Sequence, residues 1–368
     1  GSGATSGVAT SRLAEEDVTP EELVRLAAHE ALRLFCDRLV MQKEKEWCQE
    51  QLEAVFASVF PGVRPEALQR PILYSRWLTG RYSSVDRASL RVYLESRLRV
   101  FNEEELNVPL VLFDDVLEHV VRSDRVLRQS LGHLLLVGES GAGKTVLTRF
   151  VAWLNGMNVF QIKLSRRYNL ESFDEDLRQV MRAAGVNGEP TCFIFDESNI
   201  LSTGFLERMN ALLASGEVPG LYEGDDMLSL MAGCREAAAH EGLLIDTSEE
   251  LFRWFTARVQ RNLHVVFTMN PANGDFRDRA ATSPALFNRC VVDWFGRWER
   301  DALLQVSQYF TRSLELERVE YYPSEDALRL VAASRGVEGV SAGERVTLHD
   351  ALMAAILSIH QSVVVLDE

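Results

Sequence analysis

Eight consecutive residues, Gly138-Glu139-Ser140-Gly141-Ala142-Gly143-Lys144-Thr145, carry the most specific chemistry in this chain. Their spacing is G-x-x-x-x-G-K-[ST], a loop whose glycines let backbone N–H groups turn inward around phosphates. The preceding run Leu134 to Val137 reads as a strand. Val146, Leu147, Phe150 and Val151 read as the opening of a helix. A helix N-terminus at this point adds its dipole to the phosphate site. Lys144 is placed to reach the β and γ phosphates, and the Thr145 hydroxyl to ligate Mg²⁺. The motif predicts a bound nucleoside triphosphate, ATP before others, with Mg²⁺. Glu139 is the one adverse residue: a negative charge near phosphates, at a variable position from which it can point outward.

Three further positions suit the same chemistry. The apolar run Thr191 to Phe195 ends on Asp196 and Glu197. Asp196 at a strand tip suits Mg²⁺, and Glu197 suits the group that orients and deprotonates an attacking water. Read alone, Asp-Glu after a strand is a helix cap and loop; the phosphate loop upstream favours the chemical reading. The run His264 to Met269 ends on Asn270-Pro271, where an amide can bond the γ-phosphate or simply start a turn. Arg289, just before Val291 and Val292, suits either an arginine finger acting in trans or an ordinary surface cation.

These residues need elements to place them. From about Thr19 to Phe60 the pattern is helical, with Leu23, Leu26, Ala27, Leu34 and Leu39 on one segment and Trp47, Leu52 and Val55 on a second. Pro61, Gly62 and Pro65 break it, and Pro71 to Ser84 is aromatic and irregular. Ser84 and Asp86 are candidate caps for a helix to about Glu105, with Leu90, Tyr93, Leu94, Leu98 and Phe101 on one face. After Leu110, strand-length runs alternate with helices: Leu134 to Val137, Val159 to Ile162, Cys192 to Phe195 and Val265 to Met269. The intervening helices begin near Gly143, Glu171, Gly204 and Ser248. This alternation predicts an α/β fold, a parallel sheet with helices on both faces.

After Val292 only helices are expected: Trp298 to Leu314, Ser324 to Ala333 and Arg345 to Val364. The last carries Leu348, Leu352, Ile356, Ile359 and Val363 as an apolar stripe that calls for a covering partner. The chain is accordingly read as a fragment of a longer polypeptide.

Composition narrows the partners. A formal net charge of −15 argues against duplex nucleic acid or an anionic membrane as the main partner. No apolar run approaches the roughly 20 residues that span a bilayer. Gly1 to Ser11 lack the basic and apolar regions of a signal peptide and read as a tag remnant or linker. The five cysteines, Cys36, Cys48, Cys192, Cys234 and Cys290, have no zinc-site spacing and fit free thiols in a reducing cytosol. The seven histidines form no metal pattern.

Longer runs resemble a known family. Together the strand, loop and carboxylate pieces look like an AAA+ P-loop NTPase module. Phe195-Asp196-Glu197-Ser198-Asn199, Gly204-Phe205-Leu206-Glu207-Arg208-Met209-Asn210 and Gly216-Glu217-Val218-Pro219-Gly220-Leu221 resemble the dynein heavy chain. So do Arg261 through Pro271 and Ala281 through Cys290. Phe150 to Gly156 and Phe173 to Arg178 look like the fourth AAA+ module of the cytoplasmic form, and the intact Lys144-Thr145 agrees with that form. The likeness runs from about Ala31 to Leu314. Val218 to Ser248 is similar to the insertions that this family carries in the second helix of the module.

The resemblance implies a domain plan: 1–18 a disordered linker or tag, 19–84 the helical lid of the preceding module and a linker, 85–314 the large nucleotide-binding domain, and 315–368 the start of a truncated lid. It implies ATP and Mg²⁺ as cofactors, with Gly138 to Thr145 on the phosphates and Val108 and Leu110 packing on adenine. Thr145 and Asp196 would hold Mg²⁺, Glu197 would activate water, and Asn270 would be the first sensor. Arg289 would complete the preceding module's site, while the finger for this one would come from the next module. The fragment alone is then expected to turn ATP over slowly. Implied partners are neighbouring modules of the same heavy chain, a second heavy chain, microtubules, and intermediate and light chains, in the cytoplasm and on the cytoskeleton. A regulatory ATPase of a minus-end-directed motor is the first reading, and a module that only holds nucleotide is the second. Another ring ATPase, such as a ribosome-remodelling one, fits the loop and carboxylates but not the longer runs.

Overall fold

The computed structural model describes residues 19–105, 110–273, 283–296, 298, 300–311, 314, 316, 320–337, 340 and 345–366. The chain divides into two compact units, Gly1–Ser89 and Leu90–Glu368.

In the first unit, helix α1 (Pro20–Phe35) starts at a capping box in which Thr19 and Glu22 satisfy each other's backbone N–H groups. Its buried face is Val24, Ala28, His29 and Leu32, at i, i+4, i+5 and i+8. Leu23 and Leu34, expected on the inner stripe, face outward. Helix α2 (Gln42–Val59) buries no residue fully and docks through Cys48, Leu52 and Phe56. Trp47 and Val55 are exposed, which corrects the face read from sequence.

The stretch read as irregular holds a short antiparallel hairpin, β1 (Leu73–Ser75) and β2 (Ser83–Val85). Three-residue strands are too short to display an alternation. The Arg25 guanidinium ties this region together, donating to the carbonyls of Ala67, Gln69 and Pro71 and to Ser84 Oγ. Ser84 therefore lies in β2, and Asp86 alone caps α3 (Arg87–Glu104) by accepting from the N–H groups of Ala88 and Ser89.

The second unit is built on a five-stranded sheet, β3 (His133–Gly138), β4 (Asn158–Gln161), β5 (Thr191–Asp196), β6 (Leu263–Met269) and β7 (Cys290–Phe295). The spatial order is β4-β5-β6-β3-β7, and every pairing is parallel. Strands β3 and β6 are buried at every position and β5 at all but Asp196, so both sheet faces are covered. Strand β7 is absent from the sequence reading, which expected only helices beyond Val292. It runs on to Phe295, and a buried Asp293 interrupts its apolar run.

Helices α4 (Asp114–Leu127), α5 (Lys144–Leu154), α6 (Leu170–Gly185), α7 (Thr203–Ser215), α8 (Gly224–His240), α9 (Ser248–Asn262) and the short α10 (Pro284–Arg289) complete this part. Helices α4 and α8 also went unread; α8 fills the segment read as an insertion and buries Leu230, Cys234 and Ala238. Helices α6 and α9 approach so closely that a Cβ on Gly185 would lie 2.4 Å from the Phe255 ring. Beyond the sheet come α11 (Arg300–Thr311), α12 (Glu325–Arg335) and α13 (Leu348–Leu366). Helix α13 buries Met353, Ala354 and Leu357, whereas Ile356 and Ile359 of the expected stripe face outward. In so apolar a helix the register against α12 decides the inner face, and composition does not.

Candidate nucleotide site

Parallel strands bring all their C-terminal ends to one edge of the sheet. Gly138, Asp196, Met269 and Phe295 end four of them there. That edge is where open α/β sheets bind ligands.

The loop leaves β3 at Gly138 and enters α5 at Gly143. Gly141 and Gly143 both have φ +85°, a left-handed conformation that side-chain-bearing residues rarely adopt. A Cβ built on either meets nothing within 4 Å, so the cradle is open on that side. At Gly138 the reason for glycine differs: a Cβ would fall 2.6 Å from Phe295 Cβ and 2.8 Å from its carbonyl oxygen. The Lys144 ammonium folds back over the loop and donates to the carbonyls of Gly138 and Glu139, each at 2.7 Å. Burial lowers the Lys144 pKa, and the carboxylates of Asp196, Glu197 and Glu139 oppose that shift without cancelling it. The Glu139 side chain is exposed. A loop of this shape, with its lysine held by carbonyls that a phosphate oxygen can replace, fits a polyphosphate.

The carboxylates lie on the next strand but one. Asp196 Oδ2 accepts from Thr268 Oγ1 of β6 at 2.6 Å, and Oδ1 accepts from the Ser198 N–H and hydroxyl. Burial raises the Asp196 pKa, but these bonds and Lys144 outweigh it, so the carboxyl sits below its ordinary range. Both oxygens of Glu197 are engaged by the loop after β6. The Asn270 N–H donates to Oε2 and the Asn273 side-chain amide to Oε1, each at 2.8 Å. The Asn270 side-chain oxygen accepts from the Ala272 N–H at 3.1 Å, closing a turn.

Lys144, Asp196, Glu197 and Asn270 therefore meet at one edge. Arg289 does not join them. It ends α10 and precedes Cys290, which pairs with His133 at the opposite edge of the sheet. Five residues of strand separate that register from Gly138, about 17 Å of rise. Leu110 is buried just before α4. It borders a cavity of about 450 Å³ whose walls include Leu98, Leu112 and Tyr309 but no residue of the phosphate loop. Val108 lies outside the described residues.

Sequence reasoning missed several supporting groups. Thr268, a hydroxyl in an apolar strand, gave a signal that went unread. Asn273 gave none, being one polar loop residue among several. Asp293 is fully buried under the loop, where His119 Nδ1 lies 2.7 Å from Oδ2 and Arg122 donates to Oδ1 at 3.2 Å. Burial opposes its ionisation, but His119 and Arg122 more than offset this and hold the carboxyl far below its usual range. The His119 ring also stacks on Phe295 at 4.0 Å. Helix α4 and strand β7 are thereby pinned together beneath Gly138.

Comparison with known proteins adds an independent line. Residues 108–334 match a family described as the P-loop containing dynein motor region D4, and residues 4–45 match the dynein heavy chain ATPase lid domain. A cytoplasmic dynein heavy chain from Dictyostelium discoideum is 53% identical over 346 residues, which is 94% of this chain and 7% of the relative. The one from Drosophila melanogaster is 60% identical over 303 residues, 82% of this chain and 6% of the relative. A dynein heavy chain-like protein of Plasmodium falciparum is 54% identical over 307 residues, 83% of this chain and 6% of the relative. The chain thus spans less than a tenth of the length of these relatives.

Proposed function

We propose, since this chain belongs to the dynein heavy chain family, that Gly138 to Thr145 holds ATP and that Asp196 and Glu197 make the site competent to hydrolyse it. The observation that carries this reading is the convergence of the loop, Lys144, both carboxylates and Asn270 at one sheet edge. Lys144 exchanges its two carbonyl partners for phosphate oxygens. Thr145 and Asp196 offer oxygens to Mg²⁺, which when bound draws off charge from the phosphates. Glu197 takes the proton of the attacking water at a carboxylate oxygen, while the Asn270 N–H and the Asn273 amide hold the group in place. Asn270 reports the state of the γ-phosphate, and Leu110 would pack on the base.

Arg289, held at the far edge of the sheet, serves the site of the preceding module. The finger for this site comes from the following one, so the chain by itself turns over slowly. On this reading 19–84 is the preceding lid with its linker, 85–314 the nucleotide-binding domain and 315–368 the beginning of a lid. The module acts as a regulatory ATPase within a minus-end-directed microtubule motor of the cytoplasm. It works beside neighbouring modules, a second heavy chain, and intermediate and light chains. Membranes and nucleic acids are not its partners. A second reading, a module that holds nucleotide without turnover, draws support from the occupation of both Glu197 oxygens.

Lys144→Ala and Glu197→Gln separate the readings. With a fluorescent ATP analogue, the first is expected to weaken binding by about 10- to 100-fold, as loss of charge-assisted phosphate bonds implies. The second keeps binding, and in the complete motor lowers turnover at this site by about 10²- to 10⁴-fold. Undiminished binding by Lys144→Ala overturns the phosphate-loop assignment. Motility of the complete motor unchanged by both overturns the regulatory role.

A further inference from the structure

The two cysteines of the first unit are neighbours. Cys36, the residue that ends α1, donates its thiol hydrogen to Cys48 of α2 with the sulfurs 3.2 Å apart. Both are free thiols. A disulfide bond is about 2.05 Å long, so closure asks each sulfur to move by about 0.6 Å. Side-chain rotation supplies a shift of that size.

We propose that Cys36 and Cys48 form a thiol modification site, a dithiol that a small-molecule disulfide of the glutathione class converts to an internal disulfide.

The two sulfurs have different roles. Cys36 is buried, and burial together with its bond to Cys48 pushes its thiol up to about 12. It is the poorer first nucleophile. Cys48 is half-buried and is the sulfur that a reagent from solution reaches. Its thiolate attacks one sulfur of oxidised glutathione, the S–S bond breaks, and one glutathione leaves as a thiolate. Cys36 then gives its proton to solvent and attacks Cys48 Sγ, expelling the second glutathione. Two protein thiols and one small disulfide become one protein disulfide and two small thiols, so electrons and atoms balance without another oxidant.

The location gives the bond a consequence. Helix α2 buries no residue fully and meets the small core of Ala28, Leu32, Cys36, Ile72 and Tyr74 only through Cys48, Leu52 and Phe56. A covalent link at Cys48 fastens the most thinly packed helix of the unit to α1. The other three cysteines serve as an internal control. Cys192, Cys234 and Cys290 are buried in the second unit, and burial pushes up the thiol of each.

The test equilibrates the chain with mixtures of reduced and oxidised glutathione, then counts thiols under denaturing conditions and measures intact mass. Oxidising mixtures should lower the count from five to three, with loss of two hydrogens and no retained glutathione. Cys36→Ser should stop at a single glutathione adduct on Cys48, and Cys48→Ser should keep all four remaining thiols. Tryptic cleavage after Lys43 and Lys45 of α2 should slow several-fold in the oxidised chain and recover on reduction. Five thiols surviving the most oxidising mixture, or a glutathione adduct that Cys36 leaves unresolved in the parent chain, overturns the proposal. These outcomes do not depend on nucleotide, so they stand or fall apart from the function proposed above.

Discussion

The two ends of the central sheet bury polar side chains by opposite rules. At the C-terminal edge the groups are charged: Lys144, Asp196 and Glu197 gather there, with Thr268 bonded to Asp196 and Asn273 to Glu197. At the N-terminal edge they are neutral and closed into fixed bonds. His133 Nδ1 accepts from the Val265 N–H at 3.0 Å, and His264 Nδ1 donates to the Gly132 carbonyl at 2.8 Å. Burial, then the proximity of His264, drives the His133 pKa from 6.5 down to about 4. His264 is lowered too, mainly by burial. A polar residue at a strand end is thus no sign of a site by itself. The distinguishing mark is charge kept in place by partners that a ligand can replace.

Acid should attack the two ends in different pH windows, and this is the largest effect expected. The folded His133 resists protonation, so its contribution is complete above pH 6.5 and is lost as pH falls toward 4. A shift of that size corresponds to about 3 kcal/mol. Asp196 and Asp293 are depressed carboxylates, whose contribution persists until pH falls below 3.8 and toward their lower folded values. Denaturant unfolding across pH 3 to 7 should therefore lose stability in two stages, and His133→Gln should remove most of the first. A single stage below pH 4 breaks the comparison.

Thr268→Val probes the charged end next. It removes the 2.6 Å bond to Asp196 and should cost about 2 kcal/mol, the worth of a hydrogen bond to an ionised group. It should also weaken Mg²⁺-dependent ATP binding, measured by titration calorimetry with and without the metal. An unchanged affinity would place Asp196 outside the metal site. Asn273→Ala is expected to do least to the fold, within about 0.5 kcal/mol for an exposed loop residue. With the Asn273 bond removed, Glu197 should then turn ATP over several-fold faster in the complete motor at unaltered affinity. A slower rate would mean that Asn273 orients the carboxylate and does not restrain it.

What the sequence could reveal followed the range of the forces involved. Gly138 to Thr145 was legible because its glycines, lysine and hydroxyl are local requirements of one loop. Strands β3, β5 and β6 were legible because burial on both faces leaves continuous apolar runs. Strand β7 was not, since Asp293 breaks its run and is satisfied by His119 and Arg122 from a distant helix. The hairpin at Leu73 and Val85 was too short to show a period. The inner faces of α1, α2 and α13 were misjudged at Leu23, Trp47 and Ile359, because each helix offers more apolar residues than it buries. Position along the sheet was equally hidden: only the pairing of Cys290 with His133 reveals that Arg289 stands at the edge away from Lys144.

The strand order also governs how the chain assembles as it is made. Strand β3, which leads into the phosphate loop, pairs only with β6 and β7. His133 waits 132 residues for Val265, its hydrogen-bond donor. At ribosomal rates of about 5 to 20 residues per second, that interval lasts roughly 7 to 26 seconds. Throughout it, Leu134 to Val137 is a fully apolar segment without its neighbours, a natural landing place for chaperones during synthesis.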